Sequence, residues 1–292
     1  MDSDDNRVLV TGATGTVGSR VVGALADWAG TVRAATRDPD ETSVSAADET
    51  VAFDFERPET WGPAFEGVDR LFLVRPPAIS RVGESILPAI DAAGRVGVEH
   101  VVVLSVLGAE NIPLLPHRRI EKHLQGSSLD WTFLRASFFM ENLVETHGQE
   151  IVERGELVVP AGDGATSFVA ADDVAAVGTR VLTASGHRNR AYDLTGPAAL
   201  TYHEVAATLG TVLDHDVQYT EPSLLEFVRH SRIGRPWGLT VVMVGLYTTA
   251  RLGLAERVSV DAERVLGRPP TALAPWAGAN RDAFEATGAR VS

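Results

Sequence analysis

Over residues 7–25 a buried strand turns into a helix through three glycines. Val8, Leu9 and Val10 make the apolar run expected of a parallel strand covered on both faces. From Val17 onward, Val17, Val21, Val22 and Leu25 recur at helical spacing. Gly12, Gly15 and Gly18 lie between, each three residues from the next. Gly12 lets the chain reverse sharply. Gly15 leaves room for a diphosphate against the backbone, and Gly18 lets the helix pack closely on the sheet. The free N–H groups near Thr16 and Val17 point at an incoming anion, which the helix dipole favours. Gly12, Thr14, Gly15, Thr16, Val17 and Gly18 are therefore expected to cradle the diphosphate of a dinucleotide. Their spacing is G-x-x-G-x-x-G, not the commoner G-x-G-x-x-G.

The rest of the chain repeats the alternation that this turn begins. Residues 31–36 read as a second strand, 51–55 as a third, 71–74 as a fourth, 99–105 as a fifth and 130–135 as a sixth. Helical stretches fall between them, near 83–94 and 117–125. The pattern predicts an α/β fold, a Rossmann-like doubly wound parallel sheet. Ligands of such sheets bind beyond the C-terminal ends of the strands. That rule brings Gly12, Arg37, Asp54, Arg75 and Ser105 to one rim. Sites that prefer NAD carry an acidic side chain at the end of the second strand. Here Thr36 holds that place and Arg37 follows it. A guanidinium there matches a 2′-phosphate, so NADP is expected over NAD. The competing reading is a solvated arginine partnered by Asp38. Asp54 and Phe55 are expected to flank the adenine. Arg75 and Pro76, where prolines force the chain out of the sheet, are expected to line the ribose.

Residues 1–136 are thus expected to form the dinucleotide-binding domain, joined by a further strand near 190–195. Residues 137–292 are expected to form a smaller, discontinuous, mostly helical substrate region. Asp172 or Asp173 is expected to cap a helix through residue 182, and Thr201 another over 202–209. Trp131 and Phe133 are expected in the core. Composition excludes several other functions. The net charge of −13 argues against a nucleic-acid partner. With no cysteine there is no disulfide and no thiolate metal site. His147, His187, His203, His215 and His230 lack metal-ligand spacing, so no metal is expected. The longest apolar stretch, 239–247, contains Thr240 and Gly245 and falls short of the roughly 18 residues a membrane helix needs. The acidic opening at Asp2, Asp4 and Asp5 is the reverse of a signal peptide. A cytoplasmic location and a small-molecule substrate are expected.

Several segments resemble the NmrA-like branch of the atypical short-chain dehydrogenases/reductases. They are the glycine turn, residues 32–39, residues 72–77, residues 129–135 followed by Phe139, Met140, Glu141 and Asn142, and residues 192–197. The resemblance implies a Rossmann-like domain that binds NAD(P)H, in an enzyme that reduces quinone-like or carbonyl acceptors. It equally implies an alternative, a silent redox sensor that reports the NADP(H) state to a partner protein. Ordinary short-chain reductases use Tyr-x-x-x-Lys after the fifth strand, with tyrosine as proton donor. Aligned on Glu121, the tyrosine position is Pro113 and the lysine position is His117. Ser105 and His117 are the residues that the resemblance places at the nicotinamide. A histidine at a helix start has its pKa lowered by the dipole, which argues against a resting acid.

Overall fold

The structure is a computed structural model that describes residues 6–42, 44–231 and 237–288. The acidic opening, residues 1–5, lies outside these. The chain forms two compact units. The first comprises residues 1–136, 171–194 and 264–267.

Seven parallel strands form the sheet of this first unit: β1 (Arg7–Val10), β2 (Thr31–Thr36), β3 (Glu49–Ala52), β4 (Arg70–Val74), β5 (His100–Val106), β6 (Asp130–Ala136) and β7 (Arg190–Leu194). Their spatial order is β7-β6-β5-β4-β1-β2-β3. Every neighbouring pair is parallel. The first six follow the dinucleotide-binding order 3-2-1-4-5-6, so the chain reverses direction across the sheet between β1 and β4. Parallel strands need covered crossovers, which accounts for the near-continuous apolar runs at Val8 to Val10 and Val101 to Val103. Five helices provide the cover: α1 (Gly18–Ala24), α2 (Trp61–Phe65), α3 (Ile86–Arg95), α4 (Pro116–Gln125) and α5 (Ala171–Thr183). Leu9, Leu71, Leu73, Val101, Val103 and Phe133 face one side, packed with residues of α2, α3 and α4. The alternate residues Val8, Val10, Phe72 and Val102 are equally buried on the other side. Phe133 stacks on Trp131 with ring centres 4.1 Å apart.

Several boundaries differ from the sequence-based expectation, three of them at or beside the expected site residues. The third strand ends at Ala52, so Asp54 and Phe55 lie in the turn beyond it. The hydrogen bond from Phe53 N–H to Thr36 carbonyl oxygen closes that edge. α5 begins at Ala171, which puts Asp172 and Asp173 inside the first turn rather than at the cap. There they complement the helix dipole, and Asp172 pairs with Arg20 at 2.9 Å. α1 begins at Gly18, with Val17 buried beneath it as the residue before the helix.

The second unit comprises residues 137–170, 195–263 and 268–292. Its short strands Ala199–Thr201, Ala165–Val169 and Phe138–Phe139 form one small sheet, and Gln218–Thr220 with Glu156–Val158 another. Helices supply most of the remainder, among them Tyr202–Leu213 and Trp237–Arg251. Thr201 caps the first of these through a complete capping box with Glu204. The core gathers Phe138, Phe168, Tyr202, Phe227, Tyr247, Trp276 and Phe284. Three buried polar contacts run through it: His147 with Tyr247, Thr166 with Tyr202, and Trp276 with Glu141. Among the described residues, no helix is long and apolar enough to cross a membrane.

Candidate dinucleotide site

The glycine turn stands at the C-terminal end of β1, beside the end of β4. Thr11 fastens the two strand ends together. Its hydroxyl accepts the Val74 N–H at 2.8 Å and donates to the Phe72 carbonyl at 3.2 Å. Gly12 then takes φ +62°, a conformation that side chains disfavour. Gly15 N–H donates to Gly12 O at 2.9 Å and closes the turn. A Cβ on Gly18 would lie 2.1 Å from Gly12 O, a clash with fixed backbone. The close approach at Gly18 is therefore to the turn itself rather than to the sheet. Gly12, Thr14 and Gly15 remain exposed, so among the described residues the concave backbone between strand and helix is open. α1 has only seven residues, and its dipole is correspondingly small. Open backbone, more than the dipole, is what this turn presents to a diphosphate.

Next to the turn, a hollow of about 390 Å³ is lined by Thr14, Thr36, Arg37, Asp38 and Thr42. Arg37 is exposed and, among the described residues, has no ion pair or hydrogen bond. Asp38 does not serve as its partner, because its carboxylate accepts the Glu41 N–H at 3.3 Å. The Thr36 hydroxyl is buried and unpaired. An unpaired cation and an unpaired hydroxyl in one hollow suit a phosphorylated ribose. Thr42 extends this wall, and its neighbours give no motif that sequence reasoning could have used.

Other expected residues point elsewhere. Phe55 is a correction: its ring is 4% exposed and packs edge-on to Phe53, 4.8 Å away in the core. The shorter third strand is the reason, since the chain turns inward before Phe55. Asp54 stays half-exposed at the rim, where its carboxylate accepts the Glu56 N–H at 2.9 Å. Ser105 is a second correction. Its hydroxyl donates to Glu121 at 2.8 Å, inside a buried ion cluster. Arg135 grips Glu121 with two bonds of 3.0 and 2.9 Å, Arg118 reaches it at 3.0 Å, and Arg135 also lies 3.2 Å from Glu110. The Ser105 proton is thus committed away from the rim. The sequence marks Glu121 only as an alignment point; its partners come from three separate elements.

Arg75 follows β4 and turns back on its own loop. Its Nη1 donates to the carbonyls of Pro76, Pro77 and Ile79 at 3.0, 3.2 and 2.8 Å. Its Nε donates to His117 Nε2 at 3.3 Å. Pro76 is half-buried beneath this clamp. Burial first, and then the Arg75 charge, push the His117 pKa down to about 3. The expected direction stands, with desolvation and a neighbouring cation as its causes. His117 is neutral at physiological pH and is no resting acid.

The description "NAD(P)H-binding" attaches to the family whose pattern matches residues 12–185. An NAD(P)H azoreductase of Xenophilus azovorans is 35% identical over 286 residues, covering 96% of this chain and 99% of the relative. An NADPH-dependent quinone oxidoreductase from Escherichia coli, solved in complex with NADPH, superposes with a TM-score of 0.83 at 27% identity. That alignment covers 92% of this chain and 98% of the other. NmrA, a negative transcriptional regulator solved with NADP, superposes at 0.78 with 16% identity over 98% of each chain, a likeness of fold. Fold and matches together define a Rossmann-type NAD(P)H-binding oxidoreductase. The chain belongs to the NAD(P)H-binding family.

Proposed function

We propose that the protein is an NADPH-preferring reductase that passes hydride to a small quinone-like or carbonyl acceptor. The observation that carries the cofactor preference is the unpaired Arg37 guanidinium at the hollow beside the glycine turn. The 2′-phosphate is the one part of NADP that NAD lacks, and a guanidinium is its natural partner. In this reading Gly12, Thr14, Gly15, Thr16 and Gly18 hold the diphosphate, and Thr36 with Arg37 holds the phosphorylated ribose. Asp54 borders the adenine, and His117 meets the nicotinamide end. Bound NADPH supplies the hydride. A quinone suits a site without the tyrosine–lysine pair, because the aromatic product takes its protons from water. The azoreductase and quinone oxidoreductase relatives support an acceptor of this kind.

Arg37→Ala tests the cofactor. A charge-assisted hydrogen bond is worth about 1.5–3 kcal/mol, so NADPH should bind at least about tenfold more weakly. NADH binding should be nearly unchanged. Equal loss of both would refute the 2′-phosphate assignment. The regulatory reading draws on the missing pair, Pro113 and His117. NADPH oxidation with a panel of quinones and azo compounds separates the two: tight NADPH binding with no turnover favours the sensor.

A further inference from the structure

Arg75 and His117 meet from the end of β4 and the first turn of α4, 42 positions apart in the chain. The guanidinium carries only donors, so His117 Nε2 must be the acceptor. A neutral imidazole that accepts at one nitrogen keeps its hydrogen on the other. Nδ1 is therefore an N–H group, and it is buried without a hydrogen-bond partner among the described residues. The opposite tautomer would set two N–H groups against each other, and so would the charged ring, beside a cation. Burial and the Arg75 charge disfavour that charged ring further. Arg75 has little freedom to release the histidine, because its other arm holds the carbonyls of Pro76, Pro77 and Ile79. An unpaired buried donor is costly. It is the kind of defect that a ligand atom repairs.

We infer that Arg75 is a positioning residue that holds His117 as the neutral Nδ1–H tautomer, so that this N–H serves a ligand oxygen. The inference rests on the dinucleotide reading of the rim. The oxygen belongs either to the nicotinamide-side ribose or to the acceptor carbonyl; both offer a neutral lone pair. On a carbonyl, such a donor steadies the negative charge that forms as hydride arrives. Hydride brings one hydrogen and two electrons to the acceptor, and water supplies the proton that completes the reduced product. His117 keeps its own hydrogen throughout.

Nitrogen NMR of the ligand-free protein reads the tautomer directly. The expected spectrum at neutral pH shows His117 protonated on Nδ1 and bare on Nε2. Arg75→Ala should move population to the Nε2–H form. An Nε2–H tautomer in the unaltered protein overturns the inference, and does so even if Arg75→Ala fails to fold. This readout is independent of NADPH binding and turnover, so it stands apart from failure of the functional reading. Two further variants test the oxygen. His117→Ala removes the donor, and His117→Asn keeps an N–H close to the Nδ1 position. His117→Ala should cost up to about tenfold. A loss in NADPH affinity assigns the ribose oxygen; a loss in kcat at unchanged affinity assigns the acceptor. His117→Asn should recover most of either loss. No loss in His117→Ala, or no recovery in His117→Asn, would overturn the donor role.

Discussion

Gly18 has no room for a side chain, because its own turn occupies the space a Cβ would take. Phe55 makes the opposite point. A side chain at the expected end of the third strand was expected at the ligand, yet it fills the core. The consequence is testable. Phe55→Ala should destabilise the protein by about 3–5 kcal/mol, the usual cost of a buried phenylalanine. NADPH affinity, measured under folding conditions, should not change. A large affinity loss without a stability loss would return Phe55 to the site. Arg37 stands at the other limit: it makes no hydrogen bond or ion pair among the described residues, and its loss should register in cofactor affinity and not in stability.

At the level of elements, the end of β5, the body of α4 and the end of β6 are joined through Glu121. This carboxylate is fully buried, with two arginines and the Ser105 hydroxyl around it. A buried ion pair adds little net stability, but breaking one strands its partners. Glu121→Ala should therefore cost about 3–5 kcal/mol in chemical denaturation. Ser105→Ala should cost only about 1 kcal/mol, since Glu121 keeps both arginines. Similar losses in the two variants would show that the serine is more than a supporting donor. Because α4 carries both Glu121 and His117, the same cluster fixes where His117 stands. These elements were legible from apolar runs alternating with helical stretches: all seven strands of the sheet were expected near where they lie, whereas their order emerges only from the pairing. The end of the third strand was not legible. Phe53 to Phe55 continues the apolar pattern, and only the pairing across to β2 shows where the strand stops.

Across the whole molecule, acid is the condition under which His100 and His117 cost the fold stability. His100 is 2% exposed and bonded to Thr132, and burial above all lowers its pKa to about 4. His117 is lowered to about 3. Both groups bind a proton more weakly folded than unfolded, where the ordinary value is 6.5. The unfolded chain therefore takes up protons first as pH falls. Their contribution is complete above pH 6.5 and is lost progressively down to their folded values. Each accounts for at most about 1.4 kcal/mol per pH unit in that window. Unfolding free energy measured from pH 7 to 4.5 should fall with pH, and His100→Asn should flatten the slope by about one proton. An unaltered slope in that variant would show that His100 titrates normally in the folded state.

The sequence by itself determined the class of fold, the glycine turn and the place of Arg37, because each depends on residues adjacent in the chain. A strand, a turn and a helix start are local choices of backbone and burial. Tertiary structure alone decided what the polar side chains do. Ser105 could face the rim or the interior, and Glu121, sixteen residues on, drew it inward. His117 could hold its hydrogen on either nitrogen, and an arginine just past the end of β4 settled which. A hydrogen bond depends on which groups the fold brings within about 3 Å, and spacing along the chain does not encode that distance.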